Sequence, residues 1–267
     1  MEINKPTLRN IEYIKNKQKT LMIHSFKSLT NLIAHDGVSE LTLEDLVQTV
    51  GNKKNLKIEL KESVTKLLED YLITFDDGLY QQIDLIKLFP PEKVIFFPSF
   101  GLLRPPEMDP IPIENSYAHK HKNTSLSTFM TSTEVWNLMR SGYKLGMHGW
   151  YHLNLNLNQN ISSTKTNDSK KTHILLDIKT DAQKCAKAYV DFLLPYLYDY
   201  VVDDTLTIYF CTPYNCYNDY QLLYIRILIE YLNIYLPTNI TKIKLIIFSG
   251  ERESIENFIK DNTNAII

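Results

Sequence analysis

The chain has 267 residues, 44% of them hydrophobic, enough for one large α/β domain or two smaller ones. A net charge of −2 gives no electrostatic reason to expect nucleic acid or an anionic membrane surface as a partner. Cys185, Cys211 and Cys216 are too few and too irregularly spaced for a disulfide framework, and none forms a C-x-x-C pair. Residues 1–6 lack the apolar core of a signal peptide and no run approaches a membrane span, so the expected location is cytoplasmic.

Taken in chain order, residues 1–19 read as an N-terminal arm and residues 20–267 as a single domain. Residues 21–24 read as a strand ending in His24, and 43–50 as a short amphipathic helix. An apolar strand over 71–75 leads into Asp76 and Asp77, and a helix over 79–88 is stopped by Pro90 and Pro91. Residues 94–97 form the next strand, followed by a proline-rich loop over 102–127 that carries His119 and His121. Thr131 and Glu134 make a capping box for a helix in which Val135, Leu138 and Met139 share a face. A strand over 144–147 delivers His148, and a polar loop covers 156–171. A long helix over 177–194 is broken by Pro195, then come a strand over 206–210, an apolar helix over 219–232 and a last strand over 242–248. Alternation of this kind implies a parallel sheet. Each candidate site residue falls just after a strand, where barrels of parallel strands keep their chemistry.

Two stretches carry that chemistry. Ile73-Thr74-Phe75-Asp76-Asp77-Gly78 places two adjacent carboxylates at the end of an apolar run, and His148-Gly149-Trp150-Tyr151-His152 places two imidazoles four residues apart. One carboxylate and two imidazoles suffice for a divalent ion with a coordination position left for water, and the other carboxylate is left over as a general base. Residues i and i+4 share one face of a helical turn, so His148 and His152 are expected to point the same way. Neighbours in an extended segment point to opposite sides, which splays Asp76 from Asp77, and Gly78 permits a sharp exit. Alone, Asp-Asp-Gly is usually a turn and H-x-x-x-H a coincidence on an exposed helix. Their occurrence together, in order and each after a strand, favours the functional reading. His24 stands evenly between that reading and a satisfied core residue. His119 and His121 read as solvated loop residues, and His35 and His173 receive no role. The many tyrosines read as packing first.

The two motifs together resemble those of the polysaccharide deacetylases, a carbohydrate esterase family with a NodB-type domain. The approach through Gly142-Tyr143 and the string Phe210-Cys211-Thr212-Pro213-Tyr214-Asn215 are similar to further motifs of that family. His24, after its apolar run, resembles the early histidine of the poly-N-acetylglucosamine deacetylase branch, and the segment after 243–248 has no histidine. The resemblance implies a distorted (β/α) barrel of about seven parallel strands and a metal-dependent hydrolase releasing acetate from an N-acetylated sugar. By the same resemblance Asp76 is the base and Asp77, His148 and His152 bind a divalent ion, with zinc the expected metal. His24 is then the general acid, and the Tyr214 backbone N–H holds the oxyanion. Gly149, Leu153, Cys211 and Asn215 depart from the family pattern. Cys211 stands where an arginine normally orients the base, which is expected to leave Asp76 less firmly held. Two alternatives stay open: a catalytically inactive, carbohydrate-binding or structural relative, and a metal hydrolase of another amide or ester. The loops carry no readable code for the substrate, and the oligomeric state is not written in the sequence.

Overall fold

A computed structural model describes residues 10–23, 33–35, 58–60, 65–66, 68–110, 126–155, 168–215, 218–250 and 252–262. Along the chain the strands are β1 (Asn10–Lys15), β2 (Thr20–Ile23), β3 (Ile33–His35), β4 (Ile58–Leu60), β5 (Leu72–Asp77), β6 (Val94–Pro98), β7 (Lys144–Leu145), β8 (Val201–Val202), β9 (Thr205–Cys211), β10 (Lys242–Phe248) and β11 (Glu253–Ser254). The helices are α1 (Gln82–Ile86), α2 (Ser132–Arg140), α3 (Asp168–Leu193), α4 (Asp219–Tyr235) and α5 (Ile255–Asp261). The fold is mixed α/β with mostly parallel sheets. It divides into two units: 1–16 with 99–101 and 146–250, and 17–98 with 102–145 and 251–267.

The first unit is built on a four-stranded sheet in the order β1-β10-β9-β8, in which only β8 runs antiparallel. Strand β1 falls within the segment read as an N-terminal arm. Strands β9 and β10 alternate between buried and part-exposed residues, the period of a sheet with one face against a core. That core holds Leu206, Ile208, Phe210, Leu245 and Ile247, with Ile178, Tyr189 and Leu228 from α3 and α4. Helix α3 begins at Asp168, inside the segment read as a polar loop, and gives way at Leu194 to a 3₁₀ stretch through Pro195. Asn218 caps α4, its side chain accepting from the Gln221 N–H at 3.0 Å.

The second unit carries a five-stranded, wholly parallel sheet in the order β11-β2-β5-β6-β7. Strands β5 and β6 are buried along their whole length, so β6 is apolar throughout and the polar Thr74, Asp76 and Asp77 of β5 are buried with its apolar residues. A short antiparallel pair, β3 with β4, belongs to the same unit. The expected capping box is complete: Glu134 N–H donates to the Thr131 hydroxyl at 3.1 Å, and the Thr131 N–H donates to the Glu134 carboxylate at 2.7 Å. The helix expected over 79–88 contracts to α1, because the Gln82 side chain ties down the turn before it. Its amide donates to the Asp76 carbonyl at 2.6 Å and its carbonyl accepts from the Leu79 N–H at 3.1 Å. The helix expected over 43–50 lies outside the described residues.

Candidate functional site

In the second unit, the aspartates close β5 rather than follow it: Asp76 pairs in register with Phe97 and Asp77 with Pro98. Both carboxylates are buried. Asp77 holds a left-handed backbone with φ 76°, which costs a non-glycine residue about 1–2 kcal/mol. Gly78 continues that exit at φ 80°, and a Cβ there would lie 2.7 Å from the Pro98 side chain.

The expectation that Cys211 leaves Asp76 less firmly held is corrected. Arg252, just before β11, donates to the Asp76 carboxylate at 2.7 Å, and the two side chains are 3% and 1% exposed. The same guanidinium nitrogen reaches the Thr74 hydroxyl at 3.3 Å, and that hydroxyl donates to the Leu21 carbonyl. An arginine from a different part of the chain therefore does for Asp76 what position 211 was expected to fail to do. A charge-assisted bond in a dry site fixes which way the carboxylate points.

In the first unit, His148 and His152 are both buried, with ring centroids 4.6 Å apart. Their backbone is not a helical turn. Gly149 is left-handed at φ 83° and His152 at φ 55°, so residues 148–152 form a tight loop that brings the two rings together by another route. The His148 Nδ1 lies 3.0 Å from the Cys211 carbonyl, and an Nδ1–H donating there leaves Nε2 as the ligand atom. Cys211, buried as expected of a packing residue, thus serves the site through its backbone. The Tyr214 ring sits 4.9 Å from the His152 ring. Tyr214 and Asn215 are left-handed at φ 59° and 53°, a geometry asparagine tolerates better than most residues. Its side-chain oxygen accepts from the Gly250 N–H at 2.6 Å.

What shapes the histidine loop is Asp181 of α3, a residue without a role in the sequence reading. Its two oxygens accept from the Trp150 and Tyr151 N–H groups, each at 2.8 Å, and Oδ1 also accepts from the Tyr224 hydroxyl at 2.7 Å. Burial pushes the Asp181 carboxyl above its ordinary range, and the Trp150, Tyr224 and Tyr151 donors pull it back in part. A Cβ on Gly149 would lie 3.3 Å from Asp181 Oδ1, so the glycine lets the carboxylate approach the loop closely. One signal pointed there. With Ile178, Ala182, Cys185 and Tyr189 lining the buried stripe of α3, Asp181 is an acid on an apolar face. The other side of the loop is held by residues 99–101, where the Gly101 N–H donates to the Trp150 carbonyl at 2.8 Å.

Asp77, His148 and His152 are thus three buried donors of the kind that hold a divalent ion, each on an element fixed by its own unit. His24, His119 and His121 lie outside the described residues. Of His35 in β3 and His173 in α3 only the backbone placement is described.

No family model and no curated protein matches the sequence. Among solved structures, the Streptococcus pyogenes deacetylase PplD in complex with acetate aligns with 92% of this chain and 98% of its own, at 15% identity and a TM-score of 0.39. A likeness this distant decides nothing about fold or activity. Among the described residues, no helix is long and apolar enough to cross a membrane.

Proposed function

We propose that the protein is a metal-dependent deacetylase of the polysaccharide deacetylase type, hydrolysing the acetamide of an N-acetylated sugar to an amine and acetate. The observation that carries the reading is the His148–His152 pair: two buried imidazoles in contact, one tied through Nδ1 to a backbone carbonyl. Such a tie fixes the tautomer and is the usual arrangement behind a ligating histidine. In this reading Asp77 joins the two histidines as third ligand of a divalent ion, and zinc suits two imidazoles and one carboxylate. The domain takes in β1 as well as residues 20–267 and forms a distorted (β/α) barrel of about seven parallel strands. The setting is cytoplasmic, with a soluble, lipid-linked or oligosaccharide precursor as substrate and neither nucleic acid nor a membrane span involved.

When bound, the ion supplies Lewis-acid polarisation of the acetamide and lowers the pKa of water. Asp76 takes the proton of the attacking water, and its ion pair with Arg252 keeps the receiving oxygen pointed one way. The Tyr214 N–H donates to the oxygen on which negative charge develops, its left-handed backbone setting the direction of that donor. His24 protonates the departing amine. Left-handed backbone at Asp77, His152 and Tyr214, all non-glycine, supports the reading, since strain of this kind collects at functional sites.

Metal analysis tests this without a substrate. The purified protein is expected to hold about one zinc or similar ion per chain. His148→Ala should lose it, whereas Asp76→Asn should keep it and lose acetate release from N-acetylated sugars. Absence of metal from the wild type after reconstitution would leave the inactive, carbohydrate-binding relative as the better reading. Metal retained without action on any N-acetyl sugar would favour a hydrolase of another amide or ester.

A further inference from the structure

Beside the histidine loop, on the face made by α3 and the end of α4, lies a groove of about 380 Å³ whose walls include Trp150, Gln183, Lys184, Lys187, Asp191 and Tyr235. Its volume falls within the roughly 300–1,000 Å³ of small-molecule sites. None of these side chains has a part in the chemistry proposed above. We propose that the groove binds one sugar ring of an N-acetylated oligosaccharide, so that the protein grips a glycan chain at Trp150 as well as at the residue being hydrolysed. The inference rests on the deacetylase reading for the identity of the glycan.

Three observations carry it. First, the indole is seated rather than loosely exposed. An added Cβ on Gly101 would lie 2.5 Å from Trp150 Nε1, so the absence of a side chain at 101 makes the space the ring occupies. Trp150 is also held at both backbone ends, its N–H by Asp181 and its carbonyl by the Gly101 N–H. A flat ring fixed in advance binds the apolar C–H face of a pyranose with little ordering cost.

Second, hydrogen-bonding groups surround that ring at side-chain reach. Lys184 Nζ stands over the indole at 5.9 Å from its centroid and must swing aside for a sugar ring to stack there, and the Gln183 amide donates to the Tyr235 hydroxyl at 3.2 Å, which orients both for a third partner. Third, the signs are mixed: Lys187 is engaged with Asp191 at 2.5 Å. An anion would meet that carboxylate, and a purely apolar ligand would strand the ammonium groups. A neutral polyol with one apolar face satisfies both walls. Because Trp150 lies between His148 and His152, a ring in the groove abuts the loop carrying both imidazoles. Affinity should therefore rise with chain length beyond one sugar.

The chain has two tryptophans, so in a Trp136→Phe background the fluorescence of Trp150 reports the groove alone. N-acetylglucosamine oligomers of increasing length, β-1,4- or β-1,6-linked, are titrated into the full chain with and without zinc. A saturable change in Trp150 emission is expected, stronger for oligomers than for the monosaccharide. Gln183→Ala and Lys187→Ala, both at exposed helix positions, should weaken it about tenfold at unchanged melting temperature and metal content. No saturable response to any oligomer, or equal affinity in both variants, overturns the proposal. Acetate release from the same oligomers is scored separately. Turnover without a Trp150 response removes the groove and leaves the deacetylase, whereas a response without turnover removes the enzyme and leaves the groove.

Discussion

Arg252→Met is expected to destabilise the protein by about 3–5 kcal/mol, the range for removing one member of a buried ion pair. The pair sits at 3% and 1% exposure, so water does not replace the lost guanidinium. Asp76 would keep a negative charge in a fully buried strand, and the Thr74 hydroxyl would lose its donor. The sign with pH follows. A buried carboxylate deprived of its cation favours the protonated form, so the defect should be largest at neutral and alkaline pH and shrink as pH falls. Asp76→Asn instead leaves the Arg252 guanidinium buried without its anion and should cost a similar amount, whereas the double variant Asp76→Asn/Arg252→Met, with neither charge, should be more stable than either single variant. Urea unfolding of the four proteins at two pH values measures all of this. Equal stability of wild type and Arg252→Met would mean that the ion pair contributes nothing to the fold.

Asp181→Ala is the second large effect. It removes the acceptor for two backbone N–H groups and the Tyr224 hydroxyl at once, and buried donors left unsatisfied cost about 1–3 kcal/mol each. A loss of about 3 kcal/mol is expected, together with a metal affinity at least tenfold weaker, because the loop that aims His148 and His152 loses its anchor. Asp181→Asn offers one acceptor oxygen where two are needed and should fall between. The Asp181 carboxyl stands above its ordinary range, chiefly through burial. The folded protein therefore binds this proton more tightly than the unfolded chain does. The stabilising contribution is complete below the ordinary aspartate range and is lost as pH rises through the raised value. Asp181→Asn should remove that slope from the pH–stability curve. Zinc titration beside thermal unfolding distinguishes the anchor from a merely structural acid, which would lower the melting temperature and leave zinc affinity unchanged.

Much of the frame was legible because its signals are local. The runs at 71–75, apolar but for Thr74, and at 94–97 became β5 and β6, buried on both faces. The Thr131–Glu134 box closed as its spacing required. The histidine pair was read as pointing the same way, and the two rings do meet, but on a backbone the spacing did not suggest. A four-residue spacing resembles a helical turn, but Gly149 and the Asp181 carboxylate override it through contacts thirty residues apart in sequence. Arg252 was hidden for a similar reason. Nothing near position 252 announces that β11 pairs with β2 and β2 with β5, and only that pairing brings its guanidinium to Asp76. Position 211 was judged by its side chain, whereas its carbonyl does the holding.

The seat of Trp150 has a historical consequence. Positions 101 and 150 cannot change in either order, because any side chain at 101 collides with the indole while the indole is present. A lineage leaving this arrangement must shrink residue 150 first, and one entering it must already have glycine at 101. Among related chains, a bulky aromatic at 150 should therefore occur only alongside glycine at 101, while glycine at 101 should also occur without the aromatic. That one-way association would record the order in which the loop acquired its ring.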